Sequence, residues 1–536
     1  MKGTTQTSSR IESSSSFLLS FLLLLAFAVS TSESYITFKT YIPPTRQRQW
    51  LTQLTGDICD SPTGSRLIDS APEVLRGWSM SKDATVENAM AVEGLFKRLV
   101  EESKAGQRNV NPTTLDYNII LNLWVKSKGG VFAAERCEQI LNTMQKLHHE
   151  TSDFSIQPNL ETFKSVLLAW KNSKVPFSPI RAQRVLEWMI QLYEAGENDV
   201  LPDSDCFDIV LQIWSRSNEG KAAYKAEQLL LLQDKLSQIV HSHKLKPTTK
   251  SFNAVLNAWG KKITKDSPHK YKKMTAVLSL MEHLYFAQGN TRVEPDRCTY
   301  NIVLCALAKG CCSHTAKEAD TILRTMEQNY KDDKISWQMD AMLFNAVIGS
   351  WAHSDVSGAY RKAVSILDRQ MNMYHAGNQD CKPDVIGFTS VLSSCASEPK
   401  TSEKSKAFNV ALSNIQMLEK NPEFGKANHV TYGTMLKACA RLLPAGSSER
   451  TKWTKHFFQK ACEAGMVGGM VLGRLREAAV THEEYKELMQ GHVKSTMPKE
   501  WTKNVEERIK NPGFRPQQKT LNVGKHKYVL NGKPKY

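Results

Sequence analysis

The sequence lacks the cysteine pattern of a disulfide-stapled or zinc-binding protein. Its 11 cysteines are odd in number, are scattered along the chain, and never show the C-x-x-C spacing of zinc ligands and redox pairs. Cysteines of this kind are typical of small buried apolar residues in a reducing compartment. We therefore exclude a zinc finger and a small disulfide scaffold.

Motifs of the common catalytic sites are also absent. His482-Glu483-Glu484-Tyr485 is not followed by the second histidine that a zinc helix needs. The sequence has no Gly-rich phosphate loop and no acidic cluster of the nuclease type. We predict a protein that is not an enzyme, with no catalytic residues, no metal and no cofactor.

Acidic residues are too few to balance the basic ones. Lys and Arg number 70 against 54 Asp and Glu, which gives a net charge of +16. Such an excess favours a polyanionic partner, above all nucleic acid, although charge also serves solubility alone. Residues 494–536 hold 11 Lys or Arg against three Glu, and this segment is either a phosphate-binding tail or a solvated one. A second basic cluster lies inside the chain, and its predicted phosphate-binding residues are Lys261, Lys262, Lys272 and Lys273.

The apolar stretch from Phe17 to Val29 is too short to span a membrane and has the length of a signal peptide. Residues 1–50 are predicted to form a targeting presequence, signal-like over 1–30 and then transit-like, rich in Ser and Thr. A signal followed by a transit segment resembles the presequences of algae with secondary plastids. We expect a plastid location, or alternatively a mitochondrial one, with no membrane segment in the mature form. An uncleaved anchor and a misplaced start codon remain alternatives.

One pattern recurs along most of the chain. An aromatic residue is followed three, four and seven positions later by apolar residues, the last usually Trp, which marks one face of an α-helix. We call these four positions the apolar frame. Successive copies begin 44 to 48 residues apart, at Tyr117, Phe163, Phe207, Phe252, Tyr300, Phe344, Phe388 and Tyr432.

A second helical pattern follows each frame, and most repeats close on a proline, as at Pro295 and Pro383. The period predicts an all-α solenoid of helix-turn-helix repeats. We expect a linker at 51–66, a degenerate capping repeat at 67–113, eight repeats over 114–480 and a basic tail at 481–536. The aromatic residues are interpreted as core.

The openings of the repeats resemble those of the pentatricopeptide repeat (PPR) family. The resemblance lies in Glu294-Pro295-Asp296 before Thr299-Tyr300-Asn301, and in Lys382-Pro383-Asp384 before Gly387-Phe388-Thr389. The repeats are longer than the usual PPR unit. The resemblance implies a right-handed α-α superhelix that binds single-stranded organellar RNA and acts in its stabilisation, processing or translation, with other RNA-processing proteins as further partners.

In that family a polar residue of the first helix and the residue after the closing proline read one base together. The resemblance assigns these pairs as Asn118 with Asn159, Asn253 with Asp296, Asn301 with Asp340, Asn345 with Asp384, and Thr389 with Asn428. It also assigns base-stacking residues, namely Leu115, Cys298, Met342 and Ile386. The last four pairs imply the RNA core 5′-UUUA-3′. We assign no base to Lys164 with Asp203 or to Asp208 with Thr248.

Two alternatives remain at this point. A tetratricopeptide-like scaffold that holds a protein segment would share the helical period. Each asparagine at a repeat opening could also be only a helix N-terminal cap, because Asn is among the favoured capping residues.

Overall fold

The computed structural model describes residues 85–104, 112–261, 268–493 and 496–505. All regular structure in these residues is helical, so the predicted all-α class is confirmed. The presequence, the linker, the first part of the capping repeat and Lys262 lie outside the described residues.

The chain divides into two compact units. One unit comprises residues 1–77 and 90–111, and its described part belongs to α1 (Val86–Lys104). The other comprises residues 78–89 and 112–536, and it contains the helical array.

Each repeat of the array contains two helices. The first helices are α2 (Thr114–Lys126), α4 (Leu160–Ser173), α6 (Ser204–Arg216), α8 (Thr249–Gly260), α10 (Arg297–Lys309), α12 (Ala341–Ala352), α14 (Val385–Ala396) and α16 (His429–Leu442). The second helices are α3 (Gly130–Thr151), α5 (Ser178–Glu194), α7 (Ala222–Ile239), α9 (Pro268–Glu282), α11 (Ser313–Lys331), α13 (Ala359–His375), α15 (Thr401–Lys420) and α17 (Ser448–Glu463). A π-helical turn, His283–Ala287, extends α9.

The apolar frame is the core of the array. In α8 the side chains of Phe252, Val255, Leu256 and Trp259 are at most 8% exposed, and the frames of the other repeats are buried as well. The helix α8 packs against the first helices α6 and α10 and against the second helices α7 and α9. Each repeat therefore buries its apolar face on its neighbours, as expected for a solenoid.

The first helices begin in a recurrent way. Before α10 a single 3-10 turn, Thr291–Val293, buries Val293, and Pro295 follows two residues later. Asp296 is the N-cap: its Oδ1 accepts the backbone N–H of Thr299 at 2.7 Å. The hydroxyl of Thr299 in turn accepts the backbone N–H of Asp296 at 3.1 Å, which completes a capping box.

The array continues beyond the eighth pair. The helix α18 (Gly469–Ala478) packs against α16 as one first helix packs on another, and the short α19 (His482–Leu488) follows it. Part of the predicted tail then folds back onto α17. The turn Lys499–Thr502 contacts α17, and the carbonyl of Trp501 accepts the N–H of Val467 at 2.8 Å. Residues 506–536 lie outside the described part.

In the part of the chain that the structure describes, no helix is both long and apolar enough to cross a bilayer. The apolar stretch Phe17–Val29 lies outside the described residues.

Replacing Leu256 with Asp tests the neighbour-dependent core. We expect a loss of stability on the order of several kcal/mol, because the fully buried position offers the carboxylate no partner. The measurement is urea unfolding followed by circular dichroism. Leu231→Asp is the control, since Leu231 in α7 is 51% exposed and should change stability by less than about 0.5 kcal/mol. Equal effects of the two substitutions would contradict the assigned core.

Candidate functional site

The predicted base-reading pairs occupy two recurrent positions. The first member, called here the reader, is the fifth residue of a first helix, as Asn253 is in α8. The second member is the N-cap of the next first helix, and we call it the cap. The contact between a reader and the next cap is called a junction. The alternative in which the reader asparagine itself caps a helix is wrong, because the N-caps of the first helices are Thr113, Asn159, Asp203, Thr248, Asp296, Asp340, Asp384 and Asn428.

Three of the predicted pairs are in direct contact. The Nδ2 of Asn253 donates to Oδ1 of Asp296 at 3.2 Å. The Nδ2 of Asn345 donates to Oδ1 of Asp384 at 3.0 Å. At the opening repeat, Asn118 Nδ2 and Asn159 Oδ1 are 3.3 Å apart. The junction therefore joins residues about 40 positions apart in the sequence, and the same oxygen also caps the next helix.

The other two pairs are arranged differently. Asp340 caps α12 by accepting the N–H of Leu343 at 3.1 Å, and the guanidinium of Arg297 lies 3.6 Å from its other oxygen. Among the described residues, the side-chain oxygen of Asn301 is buried and has no hydrogen-bond partner. The pair Thr389 and Asn428 is linked through a third residue. Thr389 Oγ1 lies 2.9 Å from Thr431 Oγ1. The backbone N–H of Thr431 in turn donates to Oδ1 of Asn428, the N-cap of α16.

The two unassigned pairs form closed polar contacts. Lys164 Nζ is 2.6 Å from the carboxylate of Asp203, in an ion pair that is largely shielded from solvent. Asp208 accepts hydrogen bonds from the hydroxyls of Ser251 and Thr248, the latter at 3.0 Å. Burial raises the pKa of the Asp208 carboxyl, and the two hydroxyls partly offset this. These junctions present a charge that is already satisfied within the protein.

The predicted stacking residues are exposed apolar side chains. Leu115, Met342 and Ile386 are 66%, 57% and 63% exposed, and Cys298 is exposed too. Each is the second residue of its first helix, three positions before the reader, so both lie on one face of the helix. The polar residues at this position in the middle repeats are Glu161, Asp205 and Lys250, which are exposed as well.

The predicted phosphate-binding lysines differ in their surroundings. Lys261 donates from Nζ to the carbonyls of Arg216 and Ser217, the latter at 3.1 Å, and so closes the C-terminal end of α6. Lys273 is paired with Glu227 at 3.3 Å, whereas Lys272 is exposed. The prediction for Lys262 lies outside the described residues.

Sequence reasoning missed one recurrent component of the junctions. The third residue of the following first helix, called here N3, carries a hydroxyl that reaches the reader in four junctions. These N3 residues are Thr162, Ser251, Thr299 and Thr431. The capping-box spacing, Ser or Thr three residues after the cap, was the available signal.

No group of His, Cys, Asp and Glu side chains that could hold a metal occurs in the residues that the structure describes. The arrangement at the junctions offers amide and carboxylate groups beside apolar side chains. Chemically, it can form directional hydrogen bonds and apolar contacts with a flat polar ligand.

Comparison with known proteins gives few matches. No protein-family model matches the sequence, and no curated protein matches it significantly. Solved structures that are similar include the "crystal structure of the pentatricopeptide repeat protein PPR10 in complex with an 18-nt psaJ RNA element" and that of a triple cysteine-to-serine variant of the same protein. Each match has 15% sequence identity, covers 82% of this chain and 65% of that chain, and has a TM-score of 0.32.

Substitutions of Asp384 separate its capping role from its contact with Asn345. Asp384→Ala should cost about 1 kcal/mol of stability, because α14 no longer has its N-cap. Asp384→Ser keeps a capping oxygen and should cost at most about 0.5 kcal/mol, although it removes the carboxylate that Asn345 contacts. Urea unfolding of both variants measures the difference. A destabilisation as large for Ser as for Ala would show that capping is not the source of the stability.

Proposed function

We propose that this chain is a PPR-type array that binds single-stranded RNA, with one base contacted per repeat. The observation that carries the proposal is the direct hydrogen bond between reader and cap, formed at Asn253–Asp296 and at Asn345–Asp384 with the same geometry. This hydrogen bond recurs along the array, and at Asn345 it lies beside the exposed apolar side chain of Met342, which suits a ligand with a repeating flat and polar unit.

The chemistry of the junction fits a nucleobase edge. A side-chain amide has two N–H donors, and the Asn345 amide donates one of them to Asp384 at 3.0 Å. The other N–H remains for an acceptor such as a base carbonyl, while the carboxylate has a further oxygen for a base N–H. Uracil carries both a carbonyl acceptor and an N–H donor on one edge. An Asn–Asp junction is therefore complementary to uracil.

Apolar side chains complete the proposed base site. Met342 and Ile386 precede their readers by three residues and are more than half exposed. Every base has an apolar face that can pack against such a side chain, and stacking contributes to single-strand binding whatever the base. Met342 and Ile386 occupy equivalent positions in consecutive repeats, so one base could lie between them.

The proposed RNA core is 5′-UUUA-3′. It follows from the resemblance to PPR proteins, with the first base assigned to Asn253 and the last to Thr389. We further propose that the array acts by occupying an organellar transcript and thereby affects its stability, processing or translation. The location, plastid or alternatively mitochondrion, depends on the presequence 1–50. We also propose that other RNA-processing proteins are partners of this chain.

A tetratricopeptide-like protein scaffold is the alternative from another functional class. Selection of a random RNA pool on the purified full chain distinguishes the two. An RNA reader should enrich sequences that contain the core, whereas a protein scaffold would enrich none and would show only weak binding driven by charge. Failure to enrich any sequence would overturn the proposed function.

Asn345→Thr tests the assignment of a single base. In the PPR family Thr with Asp prefers guanine where Asn with Asp prefers uracil, so the preferred third base of the core should change from U to G. The expected discrimination is on the order of 1 to 3 kcal/mol, comparable to one good base contact. The measurement is titration of both proteins against UUUA and UUGA RNAs.

The second base of the core supplies the control. Substituting it, as in UGUA, should weaken binding equally for the original protein and for Asn345→Thr, because each repeat contacts its own base. Identical U-to-G preference ratios at the third base in both proteins would refute base reading by Asn345.

Deletion of residues 506–536 tests whether the tail binds phosphates. This segment holds eight Lys or Arg against two Glu. If it binds phosphates, its removal should weaken binding to all RNAs alike and flatten the salt dependence by about 0.7 log units for each phosphate that the tail neutralises. The deletion starts after Val505 because Trp501 and Asn504 hydrogen-bond to the end of α17 and the segment following it. An unchanged salt slope would assign the tail a different role.

A further inference from the structure

The N3 hydroxyl forms a similar contact in each junction that contains one. Thr162 Oγ1 donates to Oδ1 of Asn118 at 2.7 Å, and Thr299 Oγ1 donates to Oδ1 of Asn253 at 2.7 Å. Ser251 donates to Asp208. In these junctions the contact connects N3 of the following repeat with the reader of the repeat before it.

The direction of this hydrogen bond follows from the capping box. The Thr299 oxygen accepts the backbone N–H of Asp296 at 3.1 Å, and its single hydrogen has two acceptors within reach, Asn253 Oδ1 at 2.7 Å and Asp296 Oδ1 at 2.8 Å. The Asn253 amide is held at both ends, since its oxygen accepts from Thr299 and its nitrogen donates to Asp296. A flipped amide would set its oxygen against the carboxylate oxygen, and two acceptors cannot form a hydrogen bond. The amide therefore presents an N–H to a ligand.

Two junctions with an asparagine reader have no hydroxyl at N3. Their N3 residues are Leu343, opposite Asn301, and Gly387, opposite Asn345. In both, the amide oxygen is buried and has no hydrogen-bond partner among the described residues. At Gly387 a Cβ would lie 2.7 Å from the Asn345 oxygen, so this oxygen occupies the space that a side chain would fill. The Asn345 amide is held by one hydrogen bond where the Asn253 amide is held by two.

We propose that the N3 residue of the following repeat is a positioning residue that sets how strictly the preceding reader selects its base. A hydroxyl at N3 fixes the amide in one orientation, and a repeat with that hydroxyl discriminates more sharply. The base at Asn253 is therefore selected more strictly than the bases at Asn301 and Asn345. This inference rests on the proposed RNA-binding function.

Substitutions at Thr299 test the proposal in the full-length protein. The discrimination is the ratio of affinities for UUUA and CUUA RNAs, which differ only in the base assigned to Asn253. Thr299→Val keeps the shape of the side chain and removes the hydroxyl, and should lower this ratio about fivefold to tenfold. Thr299→Ser keeps the hydroxyl and should retain the ratio. Ratios for the second and third bases should not change in either variant.

The converse substitution adds a hydroxyl where none exists. Leu343→Thr supplies the missing donor opposite Asn301 and should raise the U-to-C ratio at the second base severalfold. A purely structural role of N3 does not predict this gain, because Leu343 is fully buried and its replacement reduces apolar packing. Thermal unfolding of every variant, recorded in parallel, separates changes in stability from changes in discrimination.

The possible outcomes are distinct for the two proposals. An unchanged first-base ratio in Thr299→Val, in a protein that does prefer UUUA, would overturn the positioning role and leave the proposed function standing. A ratio lowered equally in Thr299→Ser would overturn it as well. Absence of any sequence preference in the unsubstituted protein would overturn the proposed function, and this inference with it.

Discussion

The array depends on the capping of its first helices by residues several of which also contact the repeat before, as Asn159, Asp296 and Asp384 do. A helix begins with backbone N–H groups that have no partner within the helix, and a buried end must find acceptors. Asp296 supplies one oxygen that accepts both the Thr299 N–H and the amide of Asn253. Because the repeats are stable only as neighbours, this oxygen starts a helix and joins two repeats at once.

The frame and the readers impose opposite demands on one short helix. Phe252 must be buried between repeats, whereas the adjacent Asn253 must stay at the edge of the stack, and the helical turn of about 100° between neighbours allows both. Exposed residues three positions earlier, such as Met342 before Asn345, lie on the same face as the reader. Packing of the frame thereby fixes which side chains share the open edge.

The regular features were predictable from the sequence and the local polar geometry was not. A period of 44 to 48 residues and the apolar frame identify the helical pairs, because burial of an aromatic face dominates over individual polar contacts. The sequence predicts the same contact for the pair Asn301–Asp340 as for the pair Asn345–Asp384. In the structure, however, the guanidinium of Arg297 lies beside Asp340, and the first junction differs from the second. Lys261 shows a similar limit, since a long flexible side chain can reach backbone carbonyls of another repeat.

Under the proposed function, the polar contacts also divide the array into segments. Between the readers Asn118 and Asn253 lie two junctions whose charges are satisfied internally, the Lys164–Asp203 ion pair and the buried Asp208. Glu161 and Asp205 are exposed where four other repeats carry an apolar residue, so these two repeats offer no apolar surface for a base. A bound strand would cross these repeats without being read. Consecutive bases are therefore recognised only from Asn253 onward. A base bound at Asn118 would be separated from them by nucleotides that no reader contacts.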